Sequence, residues 1–281
     1  MKQLLLAFLS LLLAGSASAQ SSFIVATYNI RYQNANDGLN VWENRRDAVL
    51  GLIRFHEFDV IGLQEVVHTQ LLDLARLDDF AWVGVGRDDG QQGGEYSPIL
   101  YRKSRFTLID SGTFWLSDTP DQVSFGWDAV CRRVCTWAIF KDVISGATFH
   151  LWNTHLDHKG TVAREKATAL ILERLKPHLD KKETVILTGD FNFTPDAPAY
   201  KKLAQALPDS LTRSKTPPYG PTGTINAFDY HTASSRRIDH IFISRDIQVL
   251  KHGTLNDTYD FRFPSDHFPV VARVVLPTPK S

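Results

Sequence analysis

Six short segments of this sequence place acid, amide and imidazole side chains directly beside apolar runs. Carboxylate and carboxamide oxygens are hard ligands that suit magnesium, manganese or calcium, and imidazole transfers protons near neutral pH. A divalent ion among such groups would neutralise charge at an anionic reaction centre. The residues that carry this chemistry are Asn29, Glu65, His155, Asp190, Asn192, Asp239, Asp266 and His267. Together they predict metal-dependent hydrolysis at an anionic centre.

Spacing and position give these residues a shared setting. Asp190 and Asn192 are two residues apart, so in an extended chain their side chains point to the same face. Each segment adjoins a predicted strand, and ligands of open α/β sheets bind beyond such strand ends. Taken singly, each segment has an ordinary structural explanation, such as an Asx turn at 190–192; the recurrence of six favours one assembled site. The sequence has no His–Cys cluster or HExxH spacing that would indicate zinc.

The elements that must position these side chains are short strands and two amphipathic helices. The first helix has an apolar stripe over 42–53, with Asn40 as its candidate cap, and the second begins at Thr161 and is predicted to end before Pro177. Strands mixed with such helices indicate an α/β architecture. His240 neighbours Asp239 in a strand, so it is predicted to pack on the opposite face. Apolar runs predict strands over 23–26, 60–63, 137–140, 148–152, 185–187 and 241–243.

Composition and charge describe a packed globular protein. Of 281 residues, 43% are hydrophobic and 11% aromatic, which is enough for a substantial core. We predict one domain over 22–276 and a monomer. The 31 basic and 31 acidic residues balance, whereas proteins that bind nucleic-acid backbones usually carry a basic excess. The charge therefore disfavours DNA or RNA as the main substrate without excluding it.

The N-terminal sequence and the two cysteines bear on the compartment. Residues 1–19 combine Lys2, an apolar run over 4–14 and an Ala-x-Ala site, the layout of a secretory signal peptide. No apolar run is long enough to span a bilayer, so we expect a secreted or periplasmic protein; the alternative is an N-terminal anchor. Cys131 and Cys135 would be about 13 Å apart in a strand, beyond disulfide reach. A turn at Cys131 in an oxidising compartment would allow the bond.

In their order along the chain, the six segments resemble the motifs of the endonuclease/exonuclease/phosphatase superfamily. The resemblance covers nearly all of the chain after 1–19, and Glu95 with its surroundings resembles the deadenylase-like and related bacterial branch. It implies a four-layer α/β sandwich, in which two mixed β-sheets pack face to face with helices outside and the site at one edge. The matching segments are Thr-Tyr-Asn-Ile at 27–30, Leu-Gln-Glu at 63–65, Asn-Thr-His at 153–155, Gly-Asp-Phe-Asn at 189–192, Ile-Asp-His at 238–240 and Ser-Asp-His at 265–267.

The resemblance also implies roles on the metal side of the site. Glu65 would hold the divalent ion, Mg²⁺ or Mn²⁺, with Asn29 nearby on metal or phosphate. Asp266 would likewise ligate metal or phosphate. Asp190 would orient or deprotonate the attacking water, and Asn192 would steady a phosphate oxygen.

On the substrate side, the resemblance assigns the two imidazoles. His267, held by Asp239, would act as an acid–base or phosphate-stabilising group. His155 would contact the phosphate, oriented by Glu95. The implied substrate-binding residues are Glu95, Tyr101 and Arg133.

Several functions stay open at this point. The leading prediction is a secreted metal-dependent phosphodiesterase or phosphatase acting on a small phosphate ester. The alternatives are a nuclease, a sphingomyelinase-like lipid phosphodiesterase, for which no exposed apolar hairpin is evident, and a non-catalytic binding protein on the same fold. A sugar, inositol or nucleotide phosphate would suit aromatic side chains in the pocket, although core packing explains Trp115 equally well. The aromatic candidates are Trp115, Trp127, Tyr219 and Phe228.

Overall fold

A computed structural model describes residues 21–233 and 235–278. The predicted signal peptide at 1–19 lies outside these residues. The described chain forms two mixed β-sheets, five helices and one 3₁₀ turn. The helices are α1 (Trp42–Phe55), α2 (His68–Leu74), α3 (Thr161–Asp180), α4 (Pro198–Ala206) and α5 (Ser210–Arg213).

The first sheet has six strands in the order β10-β11-β1-β2-β4-β3. Only β1 and β2 are parallel; the other neighbours are antiparallel. The strands are β1 (Ser22–Asn29), β2 (Val60–Gln64), β3 (Phe80–Val83), β4 (Ile99–Arg102), β10 (Gln248–Thr254) and β11 (Val270–Val275).

The second sheet has five strands in the order β5-β6-β7-β8-β9. Here β7 and β8 form the parallel pair, and the other neighbours run antiparallel. All six predicted strands lie within observed ones. The strands of this sheet are β5 (Phe106–Trp115), β6 (Val134–Asp142), β7 (Thr148–His155), β8 (Val185–Asp190) and β9 (Asp239–Ile243).

Three apolar clusters separate four layers. Val25, Phe140 and Ile186 belong to the cluster between the sheets. A second cluster packs α1 and α2 on the first sheet, and a third packs α3 and α4 on the second. Both faces of β2 and β8 are buried. Their sequences are therefore continuous apolar runs and do not alternate between apolar and polar residues. The predicted sandwich of two mixed sheets with helices outside is confirmed.

Two predicted helix ends were wrong. Asn40 does not cap α1: it ends the 3₁₀ turn Gly38–Asn40, and its carbonyl accepts a hydrogen bond from Arg45 Nε at 2.8 Å. The residue before α1 is Val41, which makes no side-chain cap. The second helix, α3, continues through Pro177 to Asp180. Proline lacks its own N–H but keeps its carbonyl, which still accepts from Lys181 N at 3.4 Å.

Two further sequence expectations concern cysteines and membranes. Cys131 and Cys135 are both free thiols, so the alternative of a disulfide is not realised. Cys135 lies buried in β6, while Cys131 precedes that strand. None of the helices in the described ranges is long and apolar enough to cross a membrane.

Candidate active site

Five strand ends bring predicted site residues to one edge of the sandwich. Asn29, His155 and Asp190 are the last residues of β1, β7 and β8. Asp239 is the first residue of antiparallel β9, and Glu65 directly follows β2. Register places Asp190 between His155 on one neighbouring strand and Asp239 on the other. Sheet order therefore assembles groups that are far apart in the sequence.

The carboxylate of Asp190 lies at the centre of the site and is almost fully buried. Oδ2 accepts a hydrogen bond from Asn29 Nδ2 at 3.0 Å, and Oδ1 accepts one from Asn192 N at 3.0 Å. Nε2 of His155 and Nε2 of His267 lie 3.4 Å and 3.8 Å from Oδ2. Burial, reinforced by the charge of Asp239, raises the pKa of Asp190 to about 7.

Asp239 and His267 form the hydrogen-bonded pair that was predicted from the sequence. Nδ1 of His267 lies 2.9 Å from Oδ2 of Asp239. The same oxygen accepts a hydrogen bond from Thr224 Oγ1 at 2.6 Å, and that hydroxyl in turn accepts from the backbone N–H of Asp239 at 3.1 Å. Burial disfavours the charged imidazole, but Asp239 and Asp190 outweigh it and hold the pKa of His267 well above its usual range.

Glu65 and Asp266 form an acidic side of the site. Oε1 of Glu65 accepts from Asn29 Nδ2 at 3.0 Å, and Oε2 accepts from Tyr32 N at 3.2 Å. Nη1 of Arg31 lies 3.9 Å from Glu65 Oε2 and 4.0 Å from Asp266 Oδ2. Burial raises the pKa of Asp266, and the Glu65 carboxylate adds to the rise. Two carboxylates that oppose each other's charge favour a cation between them.

The donor set fits a divalent cation. Oδ1 of Asp239 is a buried oxygen without a hydrogen-bond partner, and such groups are rare unless an ion or water satisfies them. Asp190, Asp239 and His267 also offer three ligand atoms within 4.8 Å of one another. One imidazole nitrogen of that group is already engaged by Asp239, whereas Glu65 and Asp266 offer only hard oxygens. Carboxylate oxygens such as those of Glu65 and Asp266 would suit a hard divalent ion such as Mg²⁺ or Mn²⁺.

Backbone conformation holds two of these residues in the left-handed region. Glu65 has φ 61° and Asn192 has φ 51°. Asparagine tolerates this conformation, and its N–H closes an Asx turn on Asp190. Glutamate does not favour it, so the surrounding fold must impose that conformation on Glu65. The side-chain amide of Asn192 donates to His155 Nε2 at 3.1 Å and to Leu156 O at 3.0 Å, so here it orients an imidazole.

A small recess beside His155 brings together two predicted substrate-binding residues. Arg87, Glu95, Arg133 and His155 all line it. Glu95 does not orient His155 by a hydrogen bond; its carboxylate is held by Arg87 through two bonds of 2.7 and 2.9 Å. Nδ1 of His155 and Nη1 of Arg133 are buried and have no hydrogen-bond partner. If Nε2 of His155 accepts from Asn192, the neutral ring carries its proton on Nδ1.

Tyr101 is not brought to this site. It pairs with Val60 at the opposite end of β2 from Glu65, and its ring packs on Phe140 with 4.8 Å between centroids. On β4 the side chain of Tyr101 points into the space between the two sheets. The prediction that Tyr101 binds substrate was therefore wrong. Trp115 is also a packing residue: it is 7% exposed, and its indole N–H donates to Arg87 O at 2.7 Å.

The other predicted aromatic residues are partly or largely exposed, and Trp127 packs at the margin of the cluster beneath α3 and α4. Tyr219 is 67% exposed. Trp127 donates its indole N–H to Asp118 at 2.9 Å, and Phe228 lies 5.5 Å from the guanidinium of Arg45. His240 is buried as predicted, on the opposite face from Asp239, with its ring 5.1 Å from that of Tyr200.

Sequence reasoning missed three residues that shape the site. Thr224 holds Asp239, Arg31 faces the acidic side, and Arg87 engages Glu95. A Thr or Arg in a loop has no spacing signal of its own. The nearest clue was position, since Arg31 lies two residues after Asn29.

The family model and the similar solved structures agree on one family. Residues 26–267 match the Endonuclease/Exonuclease/phosphatase family. A protein of that family from Bacteroides thetaiotaomicron has a TM-score of 0.87 and 39% identity, covering 91% of this chain and 98% of its own. A mannosyl-6-phosphatase from Bacteroides thetaiotaomicron has a TM-score of 0.87 and 38% identity, covering 90% and 100%. An uncharacterized protein of Acanthamoeba polyphaga mimivirus is 28% identical over 159 residues, 54% of this chain but only 59% of that curated relative.

Proposed function

The chain belongs to the endonuclease/exonuclease/phosphatase family, and we propose that it is a divalent-metal-dependent phosphatase of small phosphate monoesters, with sugar phosphates as the substrate class. The observation that carries this proposal is the buried carboxylate of Asp190, hydrogen-bonded to Asn29 and adjacent to the imidazoles of His155 and His267. A group so placed can accept the proton of an attacking water.

The side chains around Asp190 have different roles in the proposed reaction. The amide of Asn29 and the N–H of Asn192 fix the two carboxylate oxygens, so the proton acceptor has one orientation. Asp239 holds one nitrogen of His267 and leaves Nε2 facing Asp190, where it can donate to a phosphate oxygen. A divalent ion bound by Glu65 and Asp266 would neutralise charge on the phosphate.

The substrate class rests on charge and on a similar protein, because the recess beside His155 is too narrow to hold even a water molecule. Nδ1 of His155 and Nη1 of Arg133, which border it, are buried polar atoms without a hydrogen-bond partner. The balanced charge of the chain gives no support to a nucleic-acid substrate. The mannosyl-6-phosphatase at 38% identity supports a sugar phosphate. Membership of the deadenylase-like branch stays a prediction.

A substrate panel tests the proposal. Phosphate release is measured from mannose 6-phosphate and glucose 6-phosphate, p-nitrophenol release from bis-p-nitrophenyl phosphate, and release of shorter fragments from single-stranded DNA, each with Mg²⁺ and with EDTA. We expect Mg²⁺-dependent hydrolysis of sugar phosphates in preference to diesters. Asp190→Asn should lower turnover about 10²–10⁴-fold, while Asp196→Asn, the same change at an exposed position, should not. Faster cleavage of DNA or of the diester, or activity that persists in EDTA, contradicts the proposal.

Export is proposed on the sequence of residues 1–19, which has a basic start, an apolar run and an Ala-x-Ala site. Expression of the full chain in a bacterial host, followed by N-terminal sequencing of the periplasmic fraction, tests this. We expect a mature N-terminus at Gln20. Retention of residues 1–19 on membrane-bound protein would indicate an anchor.

A further inference from the structure

A second group of metal-binding side chains lies at the other end of β7 from His155. His150 is on β7, His178 is in the last turn of α3, and Glu183 follows that helix. Nε2 of His150 lies 3.1 Å from Glu183 Oε2, and Nδ1 of His178 lies 2.6 Å from the same oxygen. Each residue offers a ligand atom within 4.8 Å of the other two. Two imidazoles and one carboxylate therefore converge on a single point.

The surroundings of His150 set this group apart from an ordinary surface pair. His150 is only 5% exposed, and its Nδ1 is buried without a hydrogen-bond partner. The imidazole rings of His150 and His178 are 4.3 Å apart between centroids and tilted by 46°, so both nitrogens turn toward Glu183. Nε2 of His150, the nitrogen that faces the group, is held by the carboxylate it shares with His178, so a cation bound there would join all three side chains.

The open side of the group faces a cleft of about 1090 Å³. Lys181, Lys182 and Arg245 line the cleft together with the three candidate ligands. Three protein ligands with a free fourth position are typical of accessible zinc sites, and their ligands include the set of two histidines and one glutamate. The nearby cations would favour an anion or hydroxide at the free position.

We propose that His150, His178 and Glu183 form a second metal site, which binds Zn²⁺ and leaves one coordination position open to the cleft. Imidazole nitrogens favour zinc over Mg²⁺ or Ca²⁺, so this site and the oxygen-rich active site select different ions. His150 and His155 are five residues apart on β7, about 17 Å along a strand. The proposal therefore stands apart from the proposed phosphatase activity. Bound zinc would also tie the end of α3 to β7.

Zinc competition with a chromophoric chelator, in excess Mg²⁺, tests the site on the purified full chain. We expect one tight Zn²⁺ per chain. Glu183→Gln and His178→Ala should each weaken it by more than about 100-fold, since loss of even an outer-shell partner typically costs about 10–100-fold in affinity. Both positions are partly exposed, so the variants should fold, which thermal melts without metal would verify. Cobalt substitution should give the intense visible absorption of a four-coordinate ion in the wild type, and Glu183→Gln and His178→Ala should lose it.

Two control variants make the result decisive. His56→Ala removes a His–Asp pair of 2.9 Å that belongs to neither three-residue ligand group found among the described residues, and zinc binding should persist in it. His267→Ala disrupts the active-site cluster, and zinc binding should persist there as well. Loss of zinc in His267→Ala with retention in Glu183→Gln would place the ion in the active site and overturn the proposal. Absence of tight zinc binding in the wild type, or equal binding in all variants, would also overturn it and leave a hydrogen-bonded cluster only.

Discussion

Replacing Asp239 by Asn removes the charge beside His267 while keeping the shape of the side chain. Oδ2 of Asp239 accepts from both His267 Nδ1 at 2.9 Å and Thr224 Oγ1 at 2.6 Å, whereas Oδ1 has no partner. An Asn with its carbonyl in the Oδ2 position therefore keeps both hydrogen bonds. His267 is 5% exposed and Asp239 fully buried, so solvent screens the carboxylate little and the imidazole feels the full loss of its charge.

The expected magnitude follows from treating the pair as one catalytic unit. Asp239→Asn and His267→Ala should each lower kcat by about 10²–10⁴-fold, equivalent to about 2.7–5.5 kcal/mol. Independent losses would multiply to about 10⁴–10⁸-fold in the double variant. Because the imidazole can donate only while the charge of Asp239 keeps it protonated, we expect the double variant to match the worse single one. The coupling energy should then be about 2.7 kcal/mol or more.

The assay is Mg²⁺-dependent phosphate release at saturating substrate, with Asp196→Asn as the exposed control. Thermal melts of all variants separate lost catalysis from lost folding. Multiplicative losses in the double variant would show that the two residues contribute independently and would refute the reasoning. A near-normal rate for Asp239→Asn would show that charge at this position is unimportant.

Three further predictions concern the metal, the hydroxyl behind Asp239, and acid stability. Glu65→Gln should raise the Mg²⁺ concentration needed for half-maximal activity with little change in melting temperature, because the residue follows a strand end; an unchanged Mg²⁺ response counts against it as a ligand. Thr224→Val removes the hydroxyl that donates to the Asp239 carboxylate and accepts from two backbone N–H groups. The free energy of unfolding, measured with denaturant, should fall by about 1–3 kcal/mol, and turnover should fall as well. Thr168→Val, a buried control in α3, should keep its activity. Burial lowers the pKa of His252 from 6.5 to about 4; its contribution to stability is therefore full above pH 6.5 and lost as pH falls toward 4. Between pH 7 and 4.5 this amounts to about 2–3 kcal/mol, and His252→Gln should show a correspondingly flatter profile of unfolding free energy; identical profiles would refute it.

Local patterns predicted the strands well and the helix ends poorly. Apolar runs such as 185–187 mark buried strands because both faces of β8 are covered. The end of α3 was misplaced because proline removes one donor but leaves its carbonyl free to accept. The cap of α1 was misplaced because Asn40 is used in a 3₁₀ turn and not for its side chain. Helix ends depend on such competing contacts, which residue type alone does not reveal.

The sequence by itself determined which chemistry is available and which residues stand at strand ends. Asn29, Asp190 and His155 could be placed there because apolar periodicity is a local property. Only the tertiary structure decided which side chains contact each other. Glu95 binds Arg87 and not His155, and the Tyr101 ring packs in the core. It also brought His178 and Glu183 against His150, which no spacing rule predicted. The physical reason is that these contacts depend on sheet order and register, which are set by packing across the whole fold.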